Sequence, residues 1–103
     1  MIENDIRSLL NAPRDGVDAP SLELLEDTLT AGYARAMALE AEQSHLQRRI
    51  ADVAMQLAEG GTASSELQRL GERLQIADSE LARLRALLAS LRSRAADVRA
   101  AAA

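Results

Sequence analysis

Leucine and its apolar stand-ins recur at steps of three and four, without a slip, in two long runs. The first is Leu22, Leu25, Leu29, Gly32, Ala36, Leu39, Gln43, Leu46, Ile50, Val53 and Leu57. The second is Leu67, Leu70, Leu74, Ala77, Leu81, Leu84, Leu88, Leu91, Ala95 and Val98. Alternating three and four keeps one narrow stripe of a helix turned toward a partner, which is the heptad pattern of a left-handed coiled coil. Over several heptads the pattern predicts two long helices with thin, one-stripe burial.

Composition agrees with a thin seam. The apolar fraction of 48% is almost all Leu and Ala, and the 1% aromatic fraction is Tyr33 alone. A thick core would call for more aromatic bulk. The remaining residues are dominated by Arg, Glu and Gln, which are strong helix formers.

Between the runs lies Ala58-Glu-Gly-Gly-Thr-Ala-Ser-Ser65. Paired glycines stop a helix, because glycine is favoured just past a C-terminus and costly inside. Ser65 followed by Gln68 reads as a capping box that starts the next helix. Stop, short loop and start predict a helical hairpin. Charge supports the reversal. Residues 1–31 hold seven acids against two arginines (net −5), and residues 83–103 hold five arginines against one Asp (net +4).

An antiparallel register that fits the side chains sets Leu46 against Leu81, Ile50 against Ala77, Ala36 against Leu91 and Gly32 against Ala95. It pairs Glu26 with Arg99, Glu40 with Arg85 and Arg49 with Glu80, and it leaves Arg35 facing Arg94. Its centre falls late in the loop, which leaves a one-layer shift open. A parallel homodimer is the competing arrangement, with Arg73–Asp78 and Glu80–Arg85 across it. Gln43 within the seam reads as a polar residue that sets register.

Upstream, Ile2, Ile6, Leu9 and Leu10 recur at helical spacing and predict a short amphipathic helix over 1–12 that ends before Pro13. Residues 13–20, PRDGVDAP, read as a linker. Ser21 or Asp18 caps the first long helix, and the acids Glu23, Glu26 and Asp27 suit a helix N-terminus. The expected organisation is all-α: this short helix, the linker, and a hairpin over 21–103. The hairpin divides into an arm at 21–59, a turn at 60–65, an arm at 66–99 and a frayed tail at 100–103.

Functional chemistry is sparse. There is no cysteine, which removes disulfides, thiolate metal sites and a cysteine nucleophile. No nucleophile–base set or phosphate-binding glycine loop occurs, so no enzyme activity and no cofactor are expected. The N-terminus has no signal-peptide pattern and no run approaches a membrane span, so a cytoplasmic chain without membrane contact is expected.

A net charge of −4 disfavours a general grip on nucleic acid. The arginines Arg83, Arg85, Arg92, Arg94 and Arg99 are the residues that would carry one, but acids placed opposite predict intramolecular pairing instead.

One motif suggests metal. Glu42-Gln-Ser-His45 has the Glu-x-x-His spacing that supplies part of the ligand set in ferritin-like di-metal bundles. In size and hairpin form the chain is similar to the small two-helix encapsulated ferritins, which would imply metal binding through Glu42 and His45. It departs from that pattern because the motif lies in the first long helix, with no partner Glu across a turn before it. With Gln43 in the seam, Glu42 and His45 point away from the partner helix.

The outer faces are more informative. Ala31, Ala34, Ala38 and Ala41 form a small-residue stripe on the first long helix, and Ala82, Ala86, Ala89 and Ala96 form one on the second. Small residues let helix backbones approach closely. The stripes predict seats for further helices, either a second copy of the hairpin or the Ile2/Ile6/Leu9/Leu10 helix. The expected role is a non-catalytic scaffold or adaptor that self-associates as a dimer or four-helix assembly, with another protein as a further partner.

Overall fold

A computed structural model describes all residues, 1–103, and contains three helices: α1 (Ile2–Asn11), α2 (Leu22–Ala58) and α3 (Ser64–Ala102). The fold is all-α, a long antiparallel helical hairpin of α2 and α3 preceded by the short helix α1. No helix is long and apolar enough to cross a membrane.

Local chemistry sets the helix ends. The Ser21 hydroxyl accepts a hydrogen bond from the Leu24 amide at 3.1 Å, an N-cap that starts α2. At its far end Gly60 N donates to Leu57 O at 3.0 Å and Gly61 N to Gln56 O at 2.9 Å. That pair of bonds is the Schellman motif, and Gly60 takes the left-handed φ of 94° that the motif needs. A Cβ on Gly61 would come within 2.8 Å of Gln56 O, so both glycines are required, for different reasons. The second start differs from the expected capping box. α3 begins at Ser64, so Ser65 lies inside the helix, and Leu67 N bonds back to Ala63 O. The closing alanines are helical to Ala102, beyond the predicted fray, since Ala is the best helix former.

The chain divides into two compact units, each containing part of α2 and part of α3. The unit of residues 37–82 holds the turn. Its core is Leu46, Val53, Leu70 and Ala77, with Ile50, Ala63, Leu67 and Leu74 packed against it. Gln43 does act across the seam here, donating from Nε2 to Asp78 Oδ1 at 2.6 Å. That bond sets position 43 level with 77–78, so Leu46 comes level with Leu74, not Leu81. Arg49 accordingly bonds Glu66, at 2.6 Å from Nη2 to Oε1, instead of the expected Glu80. The register is one heptad from the predicted one. A slip of seven keeps every seam residue in the seam, and in this unit the tight glycine turn selects the earlier alignment.

The other unit comprises residues 1–36 and 83–103 and is a three-helix packing. Ile6, Leu25, Leu84 and Leu91 are fully buried, with Leu29, Ala36, Leu88 and Ala95 beside them. Here too the expected alignment fails: Gly32 lies against Leu88, not Ala95. The expected Glu26–Arg99 ion pair is present.

These alignments are checked by paired cysteines. Leu46→Cys with Leu74→Cys should crosslink within one chain under mild oxidation, whereas Leu46→Cys with Leu81→Cys should not. Equal crosslinking of both pairs, read by non-reducing electrophoresis, would contradict the register.

Candidate functional site

A two-helix seam leaves the neighbouring flank of each helix in water unless something covers it. In the three-helix unit α1 covers one flank. Ile6 is fully buried, while Ile2, Leu9 and Leu10 are half-buried. Beside Ile6 the α2 backbone carries no side chain at Gly32, and Leu88 of α3 takes that space. A Cβ on Gly32 would collide with Leu88 Cδ2 and stand 3.5 Å from Ile6 Cδ1. Glycine costs about 1 kcal/mol against Ala inside a helix, and at position 32 it makes room for Leu88 of α3 beside the buried Ile6.

The ends of α1 are fixed by charge. Its last turn contains no basic residue to meet the negative end of the helix. Arg94 of α3 supplies one: Nη1 donates to Leu10 O at 3.0 Å and Nη2 to Ala12 O at 2.8 Å. Arg94 is only 8% exposed. A forked guanidinium suits two carbonyls that the helix end leaves without amide partners. At the other end, Arg83 Nε stands 3.6 Å from Glu3 Oε1, an ion pair too long for a hydrogen bond. That Oε1 is closed off from solvent and has no hydrogen-bond partner. Matching Glu3 to Arg83, Ile6 to Leu88 and Leu10 to Arg94 shows that α1 runs parallel to α3.

Beside the C-terminal end of α1 an open cleft of about 470 Å³ is lined by Leu10 and Arg14 on one side and by Ala89, Ser90, Ser93, Arg94 and Asp97 on the other. Of the predicted interaction residues, Leu10 and Ala89 border this cleft. Ala31, Ala34, Ala38, Ala41, Ala82, Ala86 and Ala96 are exposed, as is Ala89 itself. Leu24, 48% exposed, and Met37, 70% exposed, fall in line with the alanines of α2 by helical spacing and add bulk that the alanine pattern did not mark.

The Glu-x-x-His residues part company: Glu42 Oε1 lies 3.9 Å from Arg73 Nη2, and His45 is exposed. Nowhere do three or more acidic or histidine side chains gather as metal ligands would. Among the C-terminal arginines, Arg83 meets Glu3, Arg99 meets Glu26, and Arg94 meets backbone carbonyls, not the Arg35 it was expected to oppose. Arg94 was legible only as a charge; its acceptors have no side-chain signature. The chain matches no protein-family model, no curated protein and no solved structure.

Removing the Arg94 fork leaves two carbonyls at a partly buried helix end without it. Arg94→Ala should cost about 2 kcal/mol of α1 docking and strip exchange protection from the α1 amides. Arg94→Lys should recover only part of this, because an ammonium does not span both carbonyls. A second test is Gly32→Leu, whose side chain must displace Leu88 and crowd Ile6; protection of α1 should fall while α2 and α3 stay helical by circular dichroism. Unchanged protection of α1 in either variant would contradict the docking geometry.

Proposed function

We propose that this chain is a non-catalytic helical interaction module, a self-associating scaffold or adaptor of the cytoplasm. The observation that carries the reading is the pair of exposed small-residue faces. On α2, Ala31, Ala34, Ala38 and Ala41 face water together with Leu24 and Met37; on α3, Ala82, Ala86, Ala89 and Ala96 do the same. A helix surface of alanines interleaved with a few large apolar groups allows close ridge-into-groove packing. Leu24 and Met37 are exposed large apolar side chains beside the alanine stripe, of the kind an interface uses.

Burial supports the same conclusion. In the unit that holds the turn, two helices bury a single stripe, and Met55 and Ile76 remain 62% and 69% exposed. Pairing two hairpins into a four-helix arrangement is the common way to cover such faces.

The charged residues fit this reading better than the alternatives. Arg83, Arg94 and Arg99 are taken up by partners in the same chain, which works against a phosphate-binding strip. No third acidic or histidine side chain joins Glu42 and His45 in a ligand group, so the ferritin-like reading gains no support from the geometry.

Sedimentation velocity tests the proposal. The wild-type chain should sediment as a dimer or larger, and Ala34→Glu or Ala86→Glu should move it toward monomer with helical content unchanged. A wild type that remains monomeric across the accessible concentrations, or Glu variants that assemble normally, would remove the alanine faces as an interface.

A further inference from the structure

We infer that the groove beneath α1 is a helix receptor, that α1 is its tethered and releasable occupant, and that the same groove accepts residues 1–12 of a second copy of this chain. This deepens the self-association reading by naming the segment that is recognised, and it rests on a surface separate from the α2 alanine face.

Few contacts hold the occupant. One side chain, Ile6, is fully buried, and the remaining apolar positions of α1 are half-buried. Glu3 contributes a long ion pair with an oxygen closed off from water and lacking a hydrogen bond, which weakens that end. A ten-residue helix does not persist alone in water, so α1 unfolds when it leaves. Its release is a local opening below the stability of the α2–α3 seam.

The tether permits that release. Residues 13–18 are all exposed, and Ala19 N to Gly16 O is its turn bond. Gly16, at φ 91°, has nothing within 4 Å of where a Cβ would stand.

The emptied groove still specifies a ligand. Gly32 and Leu88 border the place where Ile6 is buried, an apolar seat. Arg94 presents a fork that reads the terminal carbonyls of a helix and so fixes its direction. Arg83, at the opposite end, favours an acid in the first turn. The matching ligand is a short amphipathic helix with an acidic start, apolar residues at the spacing of Ile2, Ile6, Leu9 and Leu10, and an uncapped C-terminal turn. Residues 1–12 of another copy carry that chemistry in full.

The tethered copy competes at an effective concentration on the order of 1 mM. If it is docked roughly nine-tenths of the time, the same segment in trans has a Kd of about 0.1 mM, and the wild-type groove binds it about tenfold more weakly than an emptied one.

The test uses full-length chains and a fluorescent peptide of residues 1–12 amidated at its C-terminus. Ile6→Asp empties the groove, and circular dichroism confirms that α2 and α3 persist. By anisotropy the peptide should bind Ile6→Asp about tenfold more tightly than wild type, and adding Arg94→Ala should abolish binding. Adding Ala34→Glu to Ile6→Asp instead should leave binding unchanged, which separates this result from the fate of the alanine-face proposal. Equal binding to wild type and Ile6→Asp, or no binding to Ile6→Asp at millimolar protein, overturns the receptor. Binding lost with Ala34→Glu and kept with Arg94→Ala overturns it as well, because the peptide then lies on the alanine face. Hydrogen exchange of the wild type provides a check without mutation. The α1 amides should exchange as one group, well before those of the seam, and equal protection overturns the releasable helix.

Discussion

The helices of the three-helix unit meet around one missing side chain. At Gly32 the backbone of α2 is bare, and Leu88 of α3 and Ile6 of α1 converge on the vacancy. Any Cβ there would stand inside the space of Leu88. A coiled-coil seam ordinarily fills such a position with Leu or Ile, and the chain fills the equivalent positions of α2, at steps of seven from Gly32, with Leu25, Leu39, Leu46 and Val53. The glycine seats Leu88 of α3 in the seam, next to the buried Ile6 of α1. The lost helix propensity, about 1 kcal/mol, is offset by burying Leu88, which is worth roughly 1.5–3 kcal/mol.

Electrostatics then orients what packing admits. An apolar helix face laid in a groove can run in either direction, and apolar contacts alone discriminate poorly between the two. Arg94 and Arg83 settle the direction for α1. The guanidinium at one end needs carbonyls, which only a helix C-terminus offers, and the cation at the other end sits beside an acid in the first turn. Both preferences follow the helix dipole. Burying Arg94 is tolerated because two carbonyls replace water as its acceptors. The same interaction removes from the surface a charge that the sequence alone offers to nucleic acid.

The unit containing the turn works by different means. It has no third helix, and its core is a single stripe of leucines with Val53 and Ala77. Polar contacts flank the stripe: Gln43 with Asp78 and Arg49 with Glu66. Exposed pairs of this kind contribute little to stability, on the order of 0.2–1 kcal/mol each. Their effect is on alignment, because a slip by one heptad would leave the leucines content and break these bonds. The outward faces of its helices stay in water, which is why the interaction reading rests on surface and not on a pocket.

By itself the sequence determined the helices, their approximate ends and the reversal of the chain. Each of these is set by chemistry within a few residues: the three-four spacing, the Ser21 cap, the stop before Pro13, and the glycine pair whose bonds reach back only to Leu57 and Gln56. It also marked Ile2, Ile6, Leu9 and Leu10 as one apolar face. Only the tertiary structure decided the register, because a heptad pattern looks the same after a slip of seven. Only the tertiary structure showed where that face is buried and what Arg94 is for. The carbonyls that receive Arg94 lie 84 and 82 residues away in the chain and belong to a backbone that every residue shares. No residue type announces such a partner, and it exists only once three helices have been brought together.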